Sequence, residues 1–297
     1  MKLKVTIAIF VVAFLGLILL LHANGMSSND HEYSEVASLA DNLEETVEVA
    51  DEQEDNSAEM IVEEPAIPDS IFEICKPASL DDVSEQIIKK KAYIVSYNKD
   101  TKIPNWVAWY LTGEHSDGPV GRSNAFYEDI EAPAPRATIE DYKGSGWSRG
   151  HMCPAGDNKW DVEAMNQSFS LVNVCPQDAS LNSGLWNVIE RDCRKWAKKY
   201  GELYIVCGPV LLNREHETIG PNKVAVPEAF FKVILRLNPQ PAAIGFIVRN
   251  NEGTKKRDHY VNTVDDVERI TGMDFFSGLL DDIENEVEAY ANINDWK

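Results

Sequence analysis

The segment Gly146-Trp147-Ser148-Arg149-Gly150-His151-Met152-Cys153-Pro154-Ala155-Gly156-Asp157 departs from ordinary core patterning. His151 is the one side chain in it whose unperturbed pKa suits a general base near neutral pH. On an extended chain Arg149, two residues earlier, projects to the same face, and Gly150 between them permits close approach of another backbone. Arg beside His suits an anionic substrate attacked by an activated water, although an isolated pair of this kind also reads as a structural feature. A second segment runs from Phe169–Val174 through Cys175-Pro176-Gln177 to Asn182-Ser183-Gly184-Leu185-Trp186-Asn187-Val188-Ile189-Glu190. It places Asn173 in a strand, Asn182 at the start of a helix and Glu190 two turns further on. Asn182 and Glu190 would then stand roughly 80° apart around the helix and about 12 Å along it, so that they line one groove. Taken alone, Asn182 reads as an N-cap and Glu190 as a surface acid.

These residues need elements to hold them. Tyr93–Tyr97 and Trp106–Leu111 read as strands joined by the polar turn Asn98–Pro104, and Phe169–Val174, Leu203–Cys207, Phe230–Leu237 and Ala242–Val248 also read as strands. Between them, Leu185, Ile189, Cys193 and Trp196 recur at helical spacing over Asn182 to about Tyr200. Val264–Thr271 and Leu279–Tyr290 read as two short helices. The pattern predicts one α+β domain with a central antiparallel sheet flanked by helices. It contains no internal repeat, P-loop, dinucleotide fingerprint or zinc-spaced Cys cluster.

The chain of 297 residues carries 49 acidic and 28 basic side chains, a formal net charge of −21. That total argues against nucleic acid as a partner, since Lys and Arg dominate phosphate binding, but the charge is segregated. Val5–Cys75 holds 16 acids and no Lys or Arg, and Thr263–Lys297 holds ten acids against Arg269 and Lys297. The middle, Lys76–Asn262, has a net charge of +1. Residues 1–25 read as an export signal: Lys2 and Lys4 precede the apolar run Val5–Leu21, and Ala23-Asn24-Gly25 offers small residues at a cleavage site. The 17-residue run suits either a cleaved signal peptide or a retained membrane anchor, and both put the remainder outside the cytoplasm, secreted, periplasmic or anchored. Residues 26–69 read as an acidic, disordered linker without Trp or Phe, and residues 70–297 as the folded domain.

Together the two chemistry-bearing segments resemble the DNA/RNA non-specific endonuclease family, endonuclease G-like, of the ββα-metal (His-Me finger) superfamily. Ser148-Arg149-Gly150-His151 is similar to its Asp-Arg-Gly-His hallmark, with Ser in place of the usual Asp. Asn173-Val174-Cys175-Pro176-Gln177 and Asn182-Ser183-Gly184-Leu185-Trp186-Asn187-Val188-Ile189-Glu190 are similar to its second hallmark, with Ile189 in place of Leu. The flanks Arg122–Asp129, Val226–Val233 and Thr271–Phe276 look familiar too, so that the resemblance spans roughly residues 75–290. It implies a ββα-metal nuclease fold and a Mg²⁺-dependent, sugar-non-specific endonuclease acting on DNA and RNA. In that reading His151 is the general base, Asn182 the direct ligand of Mg²⁺ or alternatively Mn²⁺, and Glu190 holds a metal-bound water. Asn173 helps to fix the site, while Arg149 and Arg122 bind phosphate oxygens. Trp147, Trp160 and Trp186 offer either stacking surface or core.

Five cysteines, Cys75, Cys153, Cys175, Cys193 and Cys207, follow the apolar run. Cys153 and Cys175 each directly precede a Pro beside one motif, which makes a Cys153–Cys175 disulfide a candidate staple in an oxidising compartment. Cys193 and Cys207 read as buried small hydrophobes. Two other readings compete: a cysteine hydrolase, since Cys, His and Asn can form a nucleophilic site, and a nuclease-like binding module without activity.

Overall fold

A computed structural model describes residues 69–80, 82–212 and 215–297. The export segment 1–25 and the linker 26–69, apart from its last residue, lie outside the described residues.

Seven strands make one antiparallel sheet in the order β1 (Gln86–Lys89), β2 (Tyr93–Asn98), β3 (Ile103–Thr112), β6 (Glu202–Val210), β9 (Ala229–Arg236), β10 (Ala242–Arg249) and β11 (Val261–Asn262). Side chains alternate between its faces with the period of two that a strand imposes. Val95, Val107, Cys207, Phe230 and Ile234 enter one core, and Ile94, Trp106, Val206, Phe231 and Val233 enter another. Both faces are covered, which is why the inner strands β2, β3, β6, β9 and β10 read as mostly apolar runs rather than as alternating ones.

The first face is covered by the 14-residue helix Asn187–Tyr200, whose Ile189, Cys193, Trp196 and Ala197 are buried. Over the same face lies a two-stranded ribbon of β4 (Ser148–His151) and β5 (Val174–Gln177), and a second short ribbon pairs β7 (Thr218–Ile219) with β8 (Val224–Ala225). The opposite face is covered by helices Asp69–Cys75, Val264–Thr271 and Asp281–Glu288, which contribute Phe72, Val264, Val267 and Val287. The Val264–Thr271 helix starts where the Thr263 hydroxyl accepts from the Asp266 N–H at 3.1 Å and ends at Gly272, φ 72°.

The predicted α+β architecture with a central antiparallel sheet is the observed one, but one strand is shorter than expected. Of Phe169–Val174, only Val174 is in β5, and Leu171–Asn173 forms a 3₁₀ turn. The cause is Ser170, whose hydroxyl accepts from the Val172 N–H and donates to Asp129 at 2.6 Å, drawing the chain into a turn. Asn173 therefore ends a turn rather than lying within a strand.

Candidate active site

The ribbon aligns Arg149 with Pro176, Gly150 with Cys175 and His151 with Val174. Gly150 is required by contact: a Cβ there would lie 2.3 Å from Gln177 Oε1 and 2.6 Å from Gln177 Cβ. Past His151 the ribbon is continued by the Met152 N–H donating to the Asn173 carbonyl at 2.9 Å. The fully buried Asn173 amide then clamps the next residue. Its Oδ1 accepts from the Cys153 N–H at 2.9 Å, and its Nδ2 donates to the carbonyls of Cys153 and Ser168, each at 2.8 Å. The chain immediately after His151 is thus fixed by one side chain that spends three of its four hydrogen-bonding positions on backbone.

His151 is only 8% exposed, and its Nε2 is buried with no hydrogen-bond partner among the described residues. Its ring lies 5.1 Å from Phe126 and 4.9 Å, edge to face, from Phe169. The exposed guanidinium of Arg149 sits 4.3 Å above Phe126, and that of Arg122 sits 5.1 Å above Phe169. Two aromatic rings thus separate the imidazole from two cations. Burial, reinforced by the charges of Arg122 and Arg149, pushes the His151 pKa down to about 3. The imidazole is neutral at physiological pH, with a lone pair that no protein group uses.

Asn182 and Glu190 occur on one helical run, but that run is not regular. Ala179–Leu181 opens it, Asn182–Trp186 forms one wide π-type turn, and Gly184 within that turn has φ −98° and ψ −110°. The 80° separation expected of a straight helix therefore does not apply, and such local widening is common at functional sites. Capping belongs to Asp178, whose carboxylate accepts from the N–H groups of Ser180 and Leu181 at 2.8 and 2.9 Å. Asn182 is consequently not the N-cap, and its half-buried amide makes no hydrogen bond to the described residues.

The Glu190 carboxylate likewise has no hydrogen-bond partner among the described residues. Burial pushes its pKa up to about 7 against the opposing charge of Lys232, while Arg194 and Arg122 act in the same direction as Lys232. The charge of Arg122 is felt at both His151 and Glu190. No hydrogen bond joins Asn182 to either residue among those described.

Beneath these groups is a charge network that sequence reasoning missed. Asp157 is buried, accepts from Trp109 Nε1 at 3.1 Å and pairs with Arg194 at 2.8 Å. This pair ties the loop after His151 to the helix that carries Glu190, one turn before Arg194. Lys232, fully buried, reaches the same region from β9. Its Nζ lies 4.6 Å from the Trp109 ring centre and 5.1 Å from that of Trp186, beside Cys207. Burial works against the ammonium. The surrounding Cys207, Cys193, Glu190 and Asp157 nevertheless leave its pKa above the ordinary value. One signal was visible: Lys232 interrupts the apolar run Phe230-Phe231-Lys232-Val233-Ile234-Leu235. The Phe126 and Phe169 rings gave no such signal, because their contact joins segments distant in sequence.

The Cys153–Cys175 staple is not formed. All five cysteines are free and buried. The ribbon register puts Cys175 opposite Gly150, three residues before Cys153, an offset of about 10 Å along the strand that a disulfide does not span. Cys193 and Cys207 are buried as expected. Of the three tryptophans, Trp186 belongs wholly to the core, Trp147 donates to Glu217 at 3.0 Å, and Trp160 stacks on His115 at 5.0 Å.

The donor set suits a hard divalent cation. A neutral amide oxygen at Asn182 and an unpaired carboxylate at Glu190 are both oxygen ligands, and Mg²⁺ takes few protein ligands because it keeps several waters. Glu190 is costly to ionise in this position, and a bound cation is what such a carboxylate lacks.

Comparison with known proteins places these features in context. The DNA/RNA non-specific endonuclease family profile matches residues 72–282. The chain is 37% identical over 204 residues to "Nuclease EXOG, mitochondrial" of Xenopus laevis, covering 63% of this chain and 57% of that protein. It is 32% identical over 210 residues to "Endonuclease G, mitochondrial" of Bos taurus, covering 66% and 70% respectively. It is 32% identical over 228 residues to "Nuclease C1" of Cunninghamella echinulata var. echinulata, covering 71% and 89%. The chain spans little more than half the length of the EXOG relatives it matches. Among solved structures, a chain of a crystal structure of the EndoG/EndoGI complex superposes with a TM-score of 0.66 at 27% identity. The match covers 73% of this chain and 95% of that one.

Proposed function

The chain belongs to the DNA/RNA non-specific endonuclease family, and on that premise we propose that it is a metal-dependent endonuclease hydrolysing phosphodiester bonds of DNA and RNA. One observation carries the reading: a neutral His151 whose ring has no hydrogen-bond partner among the described residues stands beside two exposed arginines. The His151 imidazole is the base that takes the proton of the attacking water. Arg149 and Arg122 bind non-bridging phosphate oxygens, and contacts of that kind position the backbone without reading its sequence. Asn173 keeps the imidazole in register by holding Cys153. Arg194 and Asp157 hold Glu190's helix against the ribbon loop. Asn182 would hold Mg²⁺, or Mn²⁺, directly and Glu190 would hold it through a water; when bound, the ion supplies neutralisation of charge on the phosphate and the leaving oxygen.

A cysteine hydrolase is disfavoured by the thiols themselves, since burial pushes Cys153 and Cys175 well above the ordinary range and Cys207 up to about 11. Export through residues 1–25, cleaved or retained as an anchor, a linker over 26–69 and a domain over 70–297 belong to the same proposal. No helix among the described residues is long and apolar enough to cross a membrane. A plasmid-nicking and RNA-cleavage assay tests the function. Cleavage lost with EDTA, restored by MgCl₂ and lost in His151→Ala supports it. EDTA-resistant cleavage blocked by iodoacetamide, or no cleavage, overturns it. Fractionation of expressing cells with an antibody to the domain tests export.

A further inference from the structure

The acidic C-terminal region folds onto the face of the sheet opposite the candidate active site. There, Asp265 and Glu268 stand one turn apart on the Val264–Thr271 helix, and Glu288 ends the Asp281–Glu288 helix. One carboxylate oxygen from each lies within 4.8 Å of the other two. Glu288 is only 7% exposed, and its Oε1 is buried with no hydrogen-bond partner among the described residues. Glu268 is oriented from behind, accepting from the Phe275 N–H at 2.8 Å.

No Lys, Arg or His among the described residues forms an ion pair with any of the three. The neighbouring cation, Arg269, is engaged by Asp266 at 2.9 Å. Carboxylates this close repel one another when ionised. A buried acceptor without a donor is a costly arrangement unless something positive completes it.

We propose that Asp265, Glu268 and Glu288 form a Ca²⁺ site that clips these two helices together. The set is all oxygen and all carboxylate, as a hard cation requires. Ca²⁺ accepts several carboxylates in a flexible shell, whereas Mg²⁺ demands near-ideal octahedral geometry and keeps most of its waters, so a three-carboxylate set favours Ca²⁺. Waters reaching the exposed Asp265 side complete the shell. The site is independent of the nuclease reading, since none of its residues belongs to the candidate active site.

Calorimetric titration of the full chain with CaCl₂ tests it in the Asn182→Ala background, which removes the other metal ligand. One Ca²⁺ per chain is expected, with affinity at least tenfold weaker in Asn182→Ala/Glu288→Gln and with MgCl₂ in place of CaCl₂. Absence of binding in the parent, equal binding in the double variant, or equal or tighter Mg²⁺ binding overturns the proposal. Should Glu288→Gln not fold by circular dichroism, Asp265→Asn at the exposed edge replaces it and carries the same expectation. Thermal melting gives a second readout: the rise in Tm with CaCl₂ in the parent is lost in the variant, and an undiminished rise refutes the site.

Discussion

The depressed His151 pKa makes folding stability depend on acid in a way that can be isolated. In the folded chain, burial and the charges of Arg122 and Arg149 hold the imidazole neutral down to about pH 3, whereas its ordinary pKa is 6.5. Below 6.5 the unfolded chain takes up a proton that the folded chain refuses, so stability is lost as pH falls from 6.5 towards 3. Each unit contributes about 1.36 kcal/mol. At pH 4 the imidazole therefore costs about 3 kcal/mol, with no discount for screening because the ring is nearly enclosed. His151→Gln has no such proton to refuse. Urea denaturation of both proteins at pH 7 and pH 4 gives four unfolding free energies. The loss between the two pH values should be smaller in the variant by about 3 kcal/mol, whatever the constant cost of the substitution. Equal losses would show that His151 titrates normally in the folded chain and would refute the neutral, enclosed base.

Asn173→Ala leaves three buried backbone groups without partners, a cost of about 2–4 kcal/mol, so Tm should fall by roughly 5–15 °C in calorimetry. Gly150→Ala drives a methyl group into the buried Gln177 side chain and should destabilise by about 1–3 kcal/mol in urea unfolding, with cleavage reduced because the ribbon carries His151. Arg149→Ala should weaken DNA and RNA binding about tenfold and lower the slope of log K against log salt by about 1, read by fluorescence anisotropy over a salt series. Glu190→Gln should reduce Mg²⁺-dependent nicking about 10–100-fold and raise the Mg²⁺ concentration needed for half-maximal rate.

Much of this was legible in the sequence because it is local. The Val264–Thr271 helix could be read to its ends, since Thr263 and Gly272 mark the cap positions. The five inner strands, β2, β3, β6, β9 and β10, announced themselves because both faces are buried and their residues are mostly apolar, whereas the edge strands β1 and β11 are short and only partly buried and gave no such signal. Arg149, Gly150 and His151 stood out because an extended chain fixes their relative directions. What failed depended on a partner elsewhere. The Phe169–Val174 strand yields to a turn through a bond from Ser170 to Asp129, 41 residues away. The disulfide failed on a register that spacing does not determine. The wide turn at Asn182 was hidden because Asp178 serves as the cap, so that the helix begins earlier than Asn182 suggested. Asp157, Arg194 and Trp109 meet only through the fold, and their association has no sequence period.

Lys232 gives the molecule a positive charge of a different kind from the others near His151. Arg149 and Arg122 face solvent, where dissolved ions crowd around a guanidinium and dull its pull. The ammonium of Lys232 is roofed by two indoles and walled by the sheet, so no counter-ion reaches it. A brackish or a dilute medium would thus alter how strongly a polyanion is drawn in, while the field felt by Glu190 stays constant. Capture answers to the surroundings; the interior field beneath it is set by the fold.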